Sequence, residues 1–152
     1  DEDPVYASEC KTMAEYLALE GTVEFTGRVN IEDYLPEINV VVLSSISEAQ
    51  PLVILEAGAC GIPVVATDVG ACRELLMGKK DENPKLGAGG VIVPLANTQA
   101  LTQAAFLLLT DREFHDRCGR AMRERVARYY NKRDQYQAYR QLYENCIKEK
   151  VA

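Results

Sequence analysis

Two glutamates are the residues of this sequence best suited to chemistry. Glu48 and Glu56 enclose seven residues, and Glu56 is the only charged residue between Pro51 and Gly61. The run that holds them follows an apolar segment at 40–44 with the character of a buried strand, and open α/β sheets bind ligands beyond the carboxyl ends of their strands. A carboxylate in apolar surroundings needs hydrogen-bond donors. The two hydroxyls of a ribose would supply them.

A helix predicted over 51–60 would add a second binding feature at the same place. Pro51 suits the first helical position, and Gly61 suits the C-terminal end. The free amides of a first turn and the positive end of the helix dipole favour an anion such as a phosphate. Because every helix has such an end, two alternatives stay open. Glu48 could be a solvated loop residue, and Glu56 a helix residue satisfied by neighbouring backbone.

The elements that must position these residues are short apolar strands and the helices between them. The predicted strands are apolar on both faces, which is typical of parallel strands covered by helices on each side. They lie at 22–26, 40–44, 63–67 and 91–94. Helical patterns alternate with them at 6–19, 31–38, 51–60 and 72–77. This alternation requires βαβ crossovers and predicts an α/β fold, a Rossmann-like parallel sheet flanked by helices.

Strand signals stop after residue 98, and three helices are predicted at 98–110, 112–130 and 132–150. The chain therefore reads as one domain over 1–152, with a partial Rossmann-like part at 1–95 and C-terminal helices at 96–152. The last helix carries an apolar face. We expect this face to pack on the same domain, with docking on a missing domain as the alternative.

Charge and composition exclude several classes of protein. The net charge is -6 with dispersed basic residues, which argues against a nucleic-acid partner. No apolar run approaches the roughly 18 residues of a membrane span, and the N-terminus lacks the features of a signal peptide. We therefore expect a cytoplasmic protein. The five cysteines include no Cys-x-x-Cys pair, so we expect neither a zinc site nor a redox couple.

Other candidate features are weaker. His115 is the only histidine and lies in the helical tail, which leaves no credible Ser-His or Cys-His pair. Asp68 follows a strand, but no acidic pair accompanies it to hold magnesium. The segment 78–90 is long for a connection between α/β units, where about two to six residues are usual. We expect it to be functional or mobile.

The Glu48 to Glu56 spacing, followed by the run 57–67, resembles the signature of family 4 retaining glycosyltransferases. The similarity continues at 25–28 and 69–75 and covers 4–95 in the expected order. It implies the C-terminal half of a GT-B fold, which binds a nucleotide sugar and transfers the sugar with retention, generally without a metal or other cofactor. Within the family, residues 45–58 resemble the branch that makes the Pel exopolysaccharide.

The resemblance also implies roles for individual residues. Glu48 would hold sugar hydroxyls near the reacting carbon and is the catalytic candidate. Glu56 would hold the ribose, and the backbone of Arg28 and Val29 would frame the base. The donor would be a UDP-sugar, with UDP-glucose favoured and UDP-N-acetylgalactosamine second.

The turn before the predicted helix would meet the diphosphate. The amides of Leu52 and Val53 would bind phosphate oxygens, with Gln50 and Pro51 completing the donor-binding turn. Many relatives carry Gly-Phe where this chain has Ala49 and Gln50. This difference favours the Pel branch.

Several partners are expected on the same resemblance. They are the UDP-sugar donor, an N-terminal acceptor domain of the same protein and Pel export proteins. A second copy of the chain could also pair at an open sheet edge, because strands that the family places beside 40–44 are missing. An Arg and a Lys of the family are expected before residue 1, so we expect the chain alone to lack transferase activity. The alternative is a catalytically inactive nucleotide-sugar-binding or assembly module.

Overall fold

The computed structural model describes residues 3–151, with side chains described up to residue 148. The chain divides into two compact units, Asp1–Tyr34 and Leu35–Ala152. None of the helices described is long and apolar enough to cross a bilayer.

The first unit begins with helix α1, Pro4–Tyr16. The Asp3 carboxylate caps this helix by accepting hydrogen bonds from the amides of Val5 and Tyr6 at 3.1 and 3.0 Å. Such a cap satisfies amides that have no partner within the helix. A short helix α2, Ile31–Tyr34, ends the unit.

The strand predicted at 22–26 is wrong. Only Val23 makes a strand-like pairing there, an isolated parallel bridge with Glu20. All residues of the segment are exposed. A β-strand forms only where a neighbouring strand pairs with its backbone groups, and the described part of this unit provides no such pairing beyond the bridge.

The second unit is an α/β fold with a parallel three-stranded sheet in the order β1-β2-β3. A 3₁₀ turn at Leu35–Glu37 precedes it. The strands are β1 (Val41–Leu43), β2 (Val64–Thr67) and β3 (Gly90–Val93). The helices are α3 (Leu52–Cys60), α4 (Cys72–Met77), α5 (Thr98–Thr110), α6 (Arg112–Tyr129) and α7 (Lys132–Val151). The predicted α/β class, the parallel pairing and the elements of this unit are confirmed.

The core lies around β2, whose four residues are all buried. On one face, Val65 belongs to an apolar cluster with Val93, with Ala104 and Leu108 of α5, and with Cys118 of α6. Helix α3 packs closely on α6 through glycine, because Gly58 lies against the Met122 side chain. Helices α5 and α6 thus pack with the sheet in one unit, and the predicted division at residue 95 stays a prediction.

The long connection at 78–90 is anchored to α6 by one arginine. Arg125 donates from Nε to Glu82 Oε1 at 2.6 Å and from a terminal nitrogen to Glu82 Oε2 at 3.1 Å. It also donates to the carbonyls of Gly87 at 2.6 Å and Leu76 at 3.0 Å. Arg125 is only 1% exposed and Glu82 5%. The loop leads into the start of β3, so this ion pair lies at the amino edge of the sheet.

This ion pair predicts an acid-sensitive contribution to stability. The hydrogen bond from Arg125 is the largest influence on Glu82 and holds its pKa below the usual range against the opposing effect of burial. A lowered pKa in the folded state stabilises the protein above the unfolded pKa, about 4.3, and the contribution is lost as pH falls through the folded value. We expect urea unfolding to show this loss below about pH 4.

The Glu82→Gln variant should lack that part of the pH dependence. Its free energy of unfolding should therefore approach the wild-type value as the pH falls from 5 to 3. Glu124→Gln, at an exposed position of α6, is the matched control and should follow the wild-type profile. Parallel profiles for wild type and Glu82→Gln would contradict the assignment.

Candidate functional site

The loop between β1 and α3 and the loop between β2 and α4 lie together at the carboxyl edge of the sheet. Residues 44–51 form the first loop and residues 68–71 the second. A backbone hydrogen bond from Ala71 to the Ala49 carbonyl, 3.0 Å long, joins them. Glu48 lies in the first loop and Glu56 in the second turn of α3. The edge expected to bind ligand is therefore the edge that carries both glutamates.

Helix α3 begins without a side-chain cap. Its N-cap residue is Pro51, with φ -71° and ψ 117°, and no side chain bonds the first-turn amides. The prediction that Pro51 is the first helical residue is wrong by one position, because its extended ψ places it before the helix. Gly61 is confirmed as the C-terminal stop, with a left-handed φ of 75°. The amides of Leu52 and Val53 stand at the free, positive end of the helix.

Glu56 is exposed, contrary to the expectation of a carboxylate in apolar surroundings. The buried face of α3 consists of Ile54, Ala57 and Gly58, and Glu56 lies outside it. Its neighbour Ala57 is buried and Leu55 is half-buried, so these apolar residues do not enclose the carboxylate. Among the described residues none donates a hydrogen bond to Glu56, and the carboxylate oxygens remain accessible to an external donor.

Glu48 is half-buried, and its backbone is held by the neighbouring loop. The Thr67 hydroxyl donates to the Ser45 carbonyl at 2.6 Å, at the start of the Glu48 loop. Gly70 lies so close that an added Cβ would be 1.9 Å from the Glu48 carbonyl oxygen. Sequence reasoning gave neither Thr67 nor Gly70 a role. The available signal was a glycine three residues past a predicted strand, where a turn with positive φ is common.

The charge of Glu48 influences a buried thiol. Burial is the main cause that raises the pKa of Cys72, and the negative charge of Glu48 adds to it. A raised pKa keeps the thiol protonated at neutral pH, so Cys72 is unsuited to act as a nucleophile. The five cysteines are all free.

Asp68 forms an ion pair at the rim of the same edge. Arg73 donates from Nε to Asp68 Oδ1 at 2.9 Å, and this hydrogen bond lowers the pKa of Asp68. Both side chains are exposed, so the pair contributes little to stability. The pairing gives Asp68 a partner on α4, and its exclusion as a phosphoacceptor stays a prediction.

The positions of the remaining predicted residues do not test their proposed roles. Arg28 and Val29 lie in the first unit, in an exposed segment after Gly27, whose φ is 63°. Gln50 is exposed in the loop before α3. Their proposed contacts stay predictions. His115 lies 2.9 Å from the Asn39 carbonyl through Nε2 and 3.2 Å from Asp116 through Nδ1, which gives it a structural role.

The sequence is similar to those of two bacterial enzymes. The chain is 28% identical over 138 residues to N-acetyl-alpha-D-glucosaminyl L-malate synthase of Bacillus anthracis, covering 90% of this chain and 34% of that protein. It is 34% identical over 108 residues to the lipopolysaccharide core biosynthesis mannosyltransferase LpsB of Rhizobium meliloti, covering 70% of this chain and 29% of that protein. The chain thus spans about a third of the length of these relatives.

A solved structure shares the fold. The crystal structure of Anabaena HepE in complex with UDP-glucose superposes with a TM-score of 0.82 at 22% identity, covering 94% of this chain and 38% of that one. The family model for glycosyl transferases group 1 matches residues 2–111. Because the matched residues make up well over half of the chain, the chain belongs to the glycosyl transferases group 1 family.

Proposed function

We propose that this chain is the donor-binding part of a family 4 retaining glycosyltransferase and that it binds a UDP-sugar. The observation that carries the proposal is the uncapped N-terminus of α3 at the carboxyl edge of the sheet, with Glu48 before it and Glu56 in its second turn. Together these features match the three parts of a nucleotide sugar: an anionic diphosphate, a ribose diol and a sugar with several hydroxyls.

The first turn of α3 is the element suited to the diphosphate. The amides of Leu52 and Val53 have no side-chain cap, and the helix dipole adds positive potential. When a sugar leaves its nucleotide, negative charge develops on the departing diphosphate. Donors fixed in advance stabilise that charge more in the transition state than in the ground state. The main contribution of this edge to catalysis is therefore electrostatic.

The two glutamates would divide the rest of the donor between them. Glu56 is exposed on α3 and can accept both hydroxyls of a ribose. Glu48 is half-buried in the loop before the helix and would accept hydroxyls of the sugar beside the reacting carbon. Arg28 and Val29 would frame the base, and Gln50 and Pro51 would complete the turn. No cofactor or metal is assigned a role in this proposal.

The identity of the donor is proposed on the same footing. HepE, which shares the fold, is described in complex with UDP-glucose, and this supports UDP-glucose as the donor here. The two named relatives transfer different sugars according to their names, so family membership alone leaves the sugar open. The resemblance of residues 45–58 favours the Pel exopolysaccharide glycosyltransferase PelF. We propose that the whole protein acts at the cytoplasmic face with Pel export proteins and its own acceptor domain.

Calorimetric titration of the 152-residue chain with UDP tests the proposal, with ADP and GDP as competitors. We expect saturable binding that prefers UDP. In Glu56→Ala the affinity for UDP should fall about 10- to 100-fold, since hydrogen bonds to a charged group contribute about 1.5–3 kcal/mol.

Glu124→Ala is the control, because it removes an exposed carboxylate from α6 without touching the α3 edge. Its affinity for UDP should equal that of the wild type. Equal affinity for all three nucleotides would refute the preference for a UDP donor, and an unchanged affinity in Glu56→Ala would refute the assignment of α3 to the nucleotide.

A further inference from the structure

Residues 67–71, at the end of β2 and in the loop after it, hold the Glu48 loop at three points. The β1–β2 pairing ends at Leu43 and Ala66, and the next residue along β2 is Thr67. Thr67 is 4% exposed and donates its hydroxyl to the Ser45 carbonyl at 2.6 Å. A side chain therefore continues the contact between the two strands just where the backbone ladder stops and the Glu48 loop departs.

Gly70 and Ala71 hold the other end of the same loop. Gly70 has a φ of +50°, and a Cβ added to it would lie 1.9 Å from the Glu48 carbonyl oxygen and 2.9 Å from that of Ala49. Ala71 then donates its amide to the Ala49 carbonyl at 3.0 Å. A side chain at position 70 would overlap the backbone of Glu48 itself. The close approach therefore requires glycine.

Glu56 is held by other contacts. It lies on α3, whose buried face packs on α6, and α3 ends at the left-handed Gly61. The backbone of Glu48 is fixed by residues 67–71, whereas the backbone of Glu56 is fixed by its own helix and by α6. A change at Thr67 or Gly70 should displace the first glutamate and leave the second in place.

We propose that Thr67 and Gly70 are positioning residues that set the placement of Glu48 and so determine how the site binds the sugar part of its donor. The inference rests on the proposed function, because it assigns Glu48 to the sugar and Glu56 to the nucleotide. The inference predicts different effects on the affinities for UDP-glucose and for UDP. Loosening the loop weakens binding of the sugar nucleotide relative to that of the nucleotide alone.

The test is calorimetric titration of the full chain with UDP and with UDP-glucose. The variants are Thr67→Val, which keeps the shape but removes the hydroxyl, Thr67→Ser, which keeps the hydroxyl, and Gly70→Ala. We expect the ratio of the UDP-glucose Kd to the UDP Kd to rise about fivefold in Thr67→Val, the effect of losing one hydrogen bond. In Gly70→Ala the ratio should rise at least as much, because the added Cβ would overlap the Glu48 carbonyl oxygen. In Thr67→Ser the ratio should stay at the wild-type value.

A double-mutant cycle shows whether the effect acts through Glu48. Glu48→Gln should raise the same ratio, and adding Thr67→Val to it should raise the ratio no further. Additive effects, an unchanged ratio, or a parallel loss of affinity for both ligands in Thr67→Val and Gly70→Ala would overturn the inference.

A measurement on the protein without ligand tests the positioning role independently of the proposed function. Amide hydrogen exchange should accelerate at Ala71, whose amide donates to the Ala49 carbonyl, in Thr67→Val, while residues 55–60 of α3 keep the wild-type rate. If the wild type binds neither ligand, the proposed function fails, and the exchange data alone decide whether Thr67 holds the loop. Unchanged exchange at Ala71 would refute the positioning role, whatever the ligands do.

Discussion

Replacing Arg125 by alanine is expected to lower the free energy of unfolding by about 3–5 kcal/mol. The variant leaves the Glu82 carboxylate buried without its cation, and the carbonyls of Gly87 and Leu76 lose a donor. An unpaired buried charge is costly because the low-dielectric interior does not replace its lost hydration. Urea unfolding followed by circular dichroism at pH 7 measures the change.

Arg128 is the matched control on the same helix. It pairs with Glu124, but the two side chains are 47% and 46% exposed, so Arg128→Ala should cost only about 0.3–0.5 kcal/mol. Combining Arg125→Ala with Glu82→Leu should recover part of the loss, because no unpaired charge then remains buried. A cost for Arg125→Ala as small as that for Arg128→Ala would mean that water reaches the ion pair.

The elements of the second unit were predictable because their apolar runs are short and distinct. Strands β1 and β2 lie within predicted segments, and β3 begins one residue before its predicted segment at 91–94, because short apolar runs are typical of parallel strands. The segment 22–26 also carries β-branched and aromatic residues, with the charged Glu24 among them, but makes only one bridge. Composition indicates that a strand could form, whereas pairing decides whether it does.

The buried ion pair between Arg125 and Glu82 could not be predicted from the sequence. Helix α6 carries several arginines, and most of them lie on its exposed side. Local spacing does not distinguish Arg125 from the others, because its burial depends on Glu82, which lies 43 residues away in the chain. The expectation that the segment 78–90 is functional or mobile stays a prediction. The structure adds that one of its charged residues, Glu82, is anchored to α6 at the edge opposite Glu48.

The candidate site was predictable in part. The sequence placed Glu48 and Glu56 at the carboxyl edge of the sheet, where the structure has them, and it predicted the glycine stop of α3. The exposure of Glu56 could also have been predicted, since Ile54, Ala57, Gly58 and Gly61 follow the helical repeat of a buried face and Glu56 falls off it. The contact from Thr67 to Ser45 could not, because it joins residues 22 positions apart.

The last helix shows the same limit. Its apolar face was expected to pack on this domain, but its tyrosines and aliphatic residues are exposed. They are Tyr136, Tyr139, Leu142, Tyr143 and Ile147. Helical spacing predicts that such a face exists and leaves open what covers it.

Replacing Gly119 by alanine is expected to destabilise the protein by about 1–3 kcal/mol, although the same change in a free helix would stabilise it. Gly119 is buried on α6 where that helix crosses the end of α3, and an added Cβ would lie 2.2 Å from the Gly61 carbonyl oxygen. The contacted atom is backbone at a left-handed turn, so it cannot rotate away as a side chain would. Helix α3, with Glu56, must shift to accommodate the methyl group.

The sign of this effect is what makes it informative. Alanine exceeds glycine in helix propensity by about 1 kcal/mol, so without the α3 contact Gly119→Ala should raise the unfolding midpoint in urea. Ala127→Gly, an exposed position of α6, measures the propensity effect in the same helix and should cost about 1 kcal/mol. A stabilising Gly119→Ala would show that α3 and α6 do not touch at this point. A destabilising one would show that α6 contacts α3 at Gly61, at the end of the helix whose first turn is proposed to bind the donor.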